Sequence, residues 1–267
     1  MIATASEIKS CYMGPAISPE QFIAEHFFLF LIKGKIEGYD GQQRHTLNPG
    51  EYCMVRKNHL ARYNKQKDDG EFGKIVVVYD RHFLQGFHEK YKVVVEGKAQ
   101  EGVFISLNKD EKVPELLHSL LPYYRGEGQI EECVAQLKRE ELLLILLQSN
   151  PGLSTILFDF GVPQKIDLEA FMNSNYKFNV RLEQLAFLTG RSLSAFKRDF
   201  KQLFKTTPSR WLIQRRLKEA HFLLEHNGGR PSGIYLDLGF EDLSHFSFVF
   251  KKYFGSSPGE VAQRTGK

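Results

Sequence analysis

Two hydrophobic periodicities divide the chain. Up to about residue 110, apolar positions come in short runs rich in aromatic and β-branched residues, separated by turn residues. Residues 27–33 (FFLFLIK) and 74–80 (KIVVVYD) predict strands. Asp40-Gly41 separates 36–39 from 44–47 as a hairpin, and Pro49-Gly50 turns the chain into a further strand at 51–56. Residues 64–73 (NKQKDDGEFG) predict a polar loop. Many short strands with frequent turns predict a small barrel or sandwich. From about Val113 the spacing becomes helical. Residues 130–148 hold no Gly or Pro and predict one long helix, stopped by Asn150-Pro151-Gly152. Its apolar groups, Val134, Leu137, Leu142 and Ile145 among them, cover more than one face. That pattern suits either packing within the domain or a dimer seam. A mixed stretch to about Lys177 serves as the linker to the last part of the chain.

The last part contains a repeat. LSAFKRDFKQLFKTTP (193–208) and LSHFSFVFKKYFGSSP (243–258) share seven identical positions at an offset of fifty: Leu193/Leu243, Ser194/Ser244, Phe196/Phe246, Phe200/Phe250, Lys201/Lys251, Phe204/Phe254 and Pro208/Pro258. Phe residues four apart line one helix face, so each copy predicts a helix with an aromatic stripe in a core. Before the first copy, residues 180–189 predict a short helix, Gly190-Arg191 a turn and Ser192 a cap for the next helix. Helix, short turn and helix form the helix-turn-helix arrangement, whose second helix enters the DNA major groove. Residues 231–238 and the turn at Gly239 repeat it before the second copy, and 209–225 predicts a connecting helix.

Charge supports the same reading. Residues 1–171 carry 20 Lys and Arg against 24 Asp and Glu; residues 172–267 carry 16 against 8, which matches the overall +4. A basic last third on an acidic body suits a polyanion partner. The longest aliphatic run, 142–147, is far shorter than a membrane helix requires, and the first ten residues lack a secretory leader pattern. Cys11, Cys53 and Cys133 lie far apart without a CxxC pair, so a reducing, cytoplasmic location is expected.

Residues 180–263 resemble the DNA-binding domain of AraC-type transcriptional regulators. The resemblance rests on Phe200-Lys201, Pro208, Arg216-Leu217, Ala220, Leu223-Leu224 and Ile234, and on a GF-x3-S-x-F-x3-FK-x2-FG-x-SP pattern from Gly239 to Pro258. The N-terminal part is similar to the cupin-like domain of that family. The resemblance implies an α+β chain: a cupin-like effector and dimerisation domain with following helices over 1–170, then an all-α double helix-turn-helix domain over 171–267. It implies a homodimer on double-stranded promoter DNA, and it allows RNA polymerase and a small organic effector as further partners.

In the family pattern the positions of Ser194, Lys197 and Arg198 face base edges. Arg198 suits the two-bond contact to guanine O6 and N7, worth roughly 1–3 kcal/mol of discrimination. Arg191, Lys201, Lys205 and Arg210 are expected on the DNA backbone, as are Lys251 and Lys252 in the second unit. Ser244, Ser247 and Phe248 occupy the second reading positions. Phe248 stands where the family commonly has a basic residue. Its ring either presses on a thymine methyl or folds into the core, so the second unit is expected mainly to clamp. Lys205 replaces a family Gly just past its helix.

For an effector pocket, Phe28, Phe30, Tyr52, Met54, His59, Arg62 and Tyr63 lie on or beside predicted strands, and alternation leaves open which parity faces inward. His26, His45 and His59 are dispersed, without the HxH and following Glu of a metal-binding cupin, and no nucleotide or hydrolase motif is present. No cofactor, metal or catalytic residue is therefore expected. A sequence-tolerant architectural DNA binder is the alternative to a regulator.

Overall fold

The computed structural model describes residues 8–11, 21–98, 100–123, 130–226 and 230–264; residues 1–7, part of the stretch read for a leader, lie outside them. Strands β1 (Ile8–Cys11), β2 (Phe22–Ile23), β3 (His26–Lys33), β4 (Lys35–Tyr39), β5 (Arg44–Leu47), β6 (Tyr52–Val55), β7 (His59–Leu60), β8 (Arg62–Gln66) and β9 (Gly73–Tyr79) precede helix α1 (Arg81–Tyr91). Strand β10 (Phe104–Ser106) follows, then α2 (Lys112–Ser119), α3 (Glu132–Ser149) and α4 (Ser154–Leu157).

The expected hairpin at Asp40-Gly41 joins β4 to β5, paired from Ile36↔Leu47 to Tyr39↔Arg44. Strand β8 pairs along the other side of β4, which makes a three-stranded sheet in the order β5-β4-β8. The larger antiparallel sheet has the order β1-β9-β3-β6-β10. Strand β8 enters the predicted polar loop; its sequence, RYNKQ, shows no run of apolar residues, and its partner β4 supplies the ladder. Helix α1 begins where Asp80 accepts the Phe83 N–H at 3.0 Å.

Both faces of the larger sheet are covered. One face joins the smaller sheet around Leu29, Leu31, Cys53, Val55, Ile36 and Tyr63. The other carries Phe28, Met54, Ile75, Val77 and Tyr79 against α1, α2 and α3. Burying such side chains contributes about 1.5–3 kcal/mol each. Helix α3 spans eighteen residues, close to the expectation, and Leu142, Leu143 and Leu146 on it are buried.

One compact unit ends at Gly161 and the second begins at Val162. The sequence placed this division at 170/171. Residues 164–166 belong with the second unit because the Gly190 turn packs against the Gln164–Lys165 backbone, and Arg191 donates to the Ile166 carbonyl. The unit consists of α5 (Leu168–Asn175), α6 (Leu182–Leu188), α7 (Leu193–Phe204), α8 (Pro208–His226), α9 (Pro231–Ile234), α10 (Leu243–Phe254) and α11 (Pro258–Arg264).

Both aromatic stripes form core. Phe196 and Phe200, then Phe246 and Phe250, are wholly buried, and Trp211 packs against Phe200 and Phe204 with ring centroids 5.8 and 4.8 Å away. The helix expected over 231–238 is only α9; irregular turns after it carry Leu238 and Phe240 into the core beside Phe246 and Phe250. Gly239, at φ +83°, makes the last of these turns.

Candidate nucleic-acid interface

Capping decides where helices α7 and α10 start. Ser192 accepts the Ala195 N–H at 3.3 Å and opens α7, while Asp242 accepts the His245 N–H at 2.7 Å and opens α10. Buried Phe196 and Phe200 turn the opposite face of α7 outward, where Ser194, Lys197, Arg198 and Lys201 are exposed. Lys205 caps α7 in the left-handed region at φ 55°, the strained alternative for a non-Gly residue, and its N–H donates to the Lys201 carbonyl. Lys205 and Arg210 are exposed beyond it.

On α10 the matching positions carry different chemistry. Ser244 is exposed, but the half-buried Ser247 donates its hydroxyl to the Leu243 carbonyl at 2.8 Å. Phe248 is 66% exposed, so its ring does not fold into the core; Phe246 and Phe250 occupy that space. Lys251 and Lys252 are exposed in the last turn.

The expectation that Arg191 contacts the DNA backbone is corrected. Its side chain is 8% exposed and donates to the Thr189 carbonyl at 2.7 Å, the Ile166 carbonyl at 3.0 Å and the Asp199 carboxylate at 3.2 Å. A guanidinium with these partners holds the turn. Arg198, by contrast, has a side chain 74% exposed, with Nε and Nη2 directed to Asp199 Oδ1 at 3.2 and 3.1 Å. The hydrogen bond from Arg191, then that from Arg198 and the positive charges of Arg198 and Lys165, hold the Asp199 carboxyl below the usual carboxylate range. Asp199 escaped the sequence reading because its partner Arg191 is eight residues away across a turn.

A helix-turn-helix domain model matches residues 185–264, and a model of the ExsA N-terminal regulatory domain matches residues 26–156. The HTH-type transcriptional regulator ExsA of Pseudomonas aeruginosa is 26% identical over 270 residues, covering 96% of this chain and 93% of that protein. The thermoregulatory protein LcrF of Yersinia pestis is 31% identical over 262 residues, covering 92% and 93%. This chain belongs to the AraC family of transcriptional regulators. A virulence regulon transcriptional activator, VirF of Yersinia enterocolitica serotype O:8, is likewise 31% identical, over 86% of each chain. The chain is a DNA-binding transcriptional regulator with a β-rich N-terminal unit.

In that N-terminal unit the expected effector lining is corrected. Phe28, Tyr52 and Met54 point to the helix-covered face, with Phe30 packed against the same core. The opposite parity, Leu29 and Cys53 with Ile36, Leu47 and Phe104, lines a cavity of about 440 Å³. Tyr52 alone of the seven expected residues reaches it; Tyr63 lines a smaller cavity of about 130 Å³ with Lys65 and Lys74. His59 pairs with the Lys57 carbonyl at 2.7 Å, and Arg62 is buried with its guanidinium 5.5 Å from the Tyr39 ring centroid. The larger cavity has a polar rim that includes Arg44, His45, Glu51 and Lys109. Residues 65 positions apart meet there through tertiary pairing, which no local signal announces. His45 is tied to Asp40 at 2.9 Å and lies against Phe104, with ring centroids 4.7 Å apart.

The dimer-helix expectation for α3 is also corrected in part. Leu142 is buried in the unit's own core, and Val134 and Ile145 pack against that core. Leu137, at 65% exposure, and Leu144 are the apolar residues that this helix leaves open. Among the described residues, no helix is long and apolar enough to cross a membrane.

Proposed function

We propose that this regulator works in the cytoplasm as a homodimer on promoter DNA, with unequal roles for its two helix-turn-helix units. The observation that carries the reading is the contrast between matched faces. Ser194, Lys197 and Arg198 stand out on α7, whereas α10 offers Ser244, a self-bonded Ser247 and the bare ring of Phe248. The first unit reads bases, with Arg198 on guanine. The second holds backbone through Lys251 and Lys252, with Phe248 against thymine methyl groups. Lys201, Lys205 and Arg210 add phosphate contacts, which position without reading. Leu137 and Leu144 on α3 form the pairing seam, and the 440 Å³ cavity, whose size falls within the usual range for a small ligand, receives an organic effector. The activator name carried by the VirF relative supports activation, with RNA polymerase as the further partner.

Selection of genomic fragments by the purified protein at about 150 mM salt tests this, with Arg198→Ala in parallel, since salt sets the non-specific background. A discrete motif that Arg198→Ala blurs at one position supports the reading. Uniform enrichment, unchanged by the substitution, replaces it with a sequence-tolerant architectural binder.

A further inference from the structure

We infer that Asp199 is a specificity-determining positioning residue: it links the fixed Arg191 to the exposed Arg198 and presents the Arg198 guanidinium to DNA in one orientation. The inference rests on the proposed reading of Arg198 as a base reader.

The geometry runs outward from the backbone. Arg191 is locked by the Thr189 and Ile166 carbonyls and donates through Nε to Asp199 Oδ2. Asp199 Oδ1 then accepts from both Nε and Nη2 of Arg198. A guanidinium has five N–H donors in a rigid plane. The fork on Asp199 uses the Nε–H and one Nη2–H, and leaves the end-on edge, Nη1 with the second Nη2–H, for the two acceptors of guanine. An isolated surface ion pair orients little. Here the carboxylate is itself pinned by a side chain that is 8% exposed, so Arg198 meets DNA with much of its torsional freedom already spent.

The repeat supplies an internal comparison. At the offset of fifty, Arg191, Arg198 and Asp199 correspond to Glu241, Phe248 and Val249. The unit without a reading arginine also lacks the carboxylate and its anchor. A carboxylate on a DNA-facing helix opposes phosphate, so it weakens indiscriminate attachment while it sharpens the guanine contact.

Selection from a randomised duplex library by the full-length chain separates the possibilities, with wild type, Arg198→Ala, Asp199→Asn and Asp199→Glu compared at equal folded fraction. Arg198→Ala identifies the position that Arg198 reads. Asp199→Asn is expected to lower the preference at that same position about tenfold, within the range for one bidentate contact, and to raise affinity for a non-specific duplex about two- to fivefold at low salt. Asp199→Glu keeps the charge but moves the carboxylate outward. It is expected to leave non-specific affinity near wild type and to lose part of the preference. If Arg198→Ala alters the position and Asp199→Asn leaves it intact, or if Asp199→Asn weakens every position equally, the inference is overturned while Arg198 remains the reader. If Arg198→Ala changes no position, the reading and the inference fall together.

Discussion

Arg216 closes on the turn at Gly239. Its Nη1 donates to the Gly239 carbonyl at 2.8 Å, while Nε and Nη2 donate to the Tyr176 and Phe178 carbonyls at 2.7 and 2.9 Å. The turn fits because Gly239 has no side chain: a Cβ there would lie 2.5 Å from the Lys177 carbonyl oxygen and 3.0 Å from Arg216 Cζ. One buried cation on α8 thus joins the segment before α6 to the turn before α10. Burial pulls its guanidinium down to about 10, yet it stays charged at neutral pH.

Removing that cation leaves three carbonyls without a donor. Arg216→Met is expected to destabilise the helical unit by about 3 kcal/mol, and Arg216→Lys by more than half as much, since an ammonium cannot match the planar fork. Gly239→Ala adds backbone strain to a steric overlap and is expected to cost about 2 kcal/mol. Trp211 is the chain's single tryptophan and packs on Phe200 and Phe204. Urea unfolding followed by its fluorescence measures all three variants, and a midpoint unchanged in Arg216→Met would contradict the role.

Acid sensitivity is expected from His26. It is buried, accepts the Lys57 N–H at Nδ1 (3.2 Å), and therefore carries its proton on Nε2, which has no partner among the described residues. Burial, and then the charges of Lys57 and Arg56, pull its value from 6.5 to about 3. Between those values the unfolded chain binds a proton that the folded chain refuses, so the contribution is intact above about 6.5 and stability falls as pH drops toward 3. At pH 5 the loss is on the order of 2 kcal/mol. His26→Asn keeps an acceptor for Lys57 without titrating. Urea unfolding of the N-terminal unit by circular dichroism should show a smaller pH 7 to pH 5 difference in the variant than in wild type.

Lys205 bears the strain of a left-handed cap that Gly255 fills at the end of α10 without strain. Lys205→Gly is expected to stabilise the unit by a net of about 0.5 kcal/mol, after the greater freedom of the unfolded glycine is subtracted. The same change removes the phosphate contact proposed for Lys205, so DNA affinity should fall and its salt dependence become shallower by about one unit. Thermal melts and a salt titration of binding would show the two effects with opposite signs.

Pairing through α3 predicts a separation between neighbouring leucines. Leu137→Lys and Leu144→Lys should weaken the dimer at least about tenfold and leave the fold intact, because each lysine projects into solvent in the monomer. Leu142→Lys should instead unfold the N-terminal unit, since it places a charge in the core. Sedimentation velocity with circular dichroism on the same samples distinguishes them. A dimer unaffected by both exposed substitutions would place the seam elsewhere.

The sequence alone determined whatever depends on neighbours along the chain. Phe residues four apart, a Ser cap and a Gly turn act within one or two helical turns, so the repeated helices and the face carrying Ser194, Lys197 and Arg198 were legible. Which strand face lines the barrel was not. Alternation has period two and marks a face only when the other is wet, but all four residues of β6 are buried because helices cover the outer side of the sheet. Phe28 and Met54 therefore looked as suitable as Leu29 and Cys53, and only the second sheet decided between them. The same holds for the basic residues. From the sequence both Arg191 and Arg198 were expected at DNA, the first on the backbone and the second on a base edge. The Ile166 carbonyl, twenty-five residues from Arg191, makes that arginine a fastening of the turn, while Arg198 keeps an exposed side chain paired with Asp199.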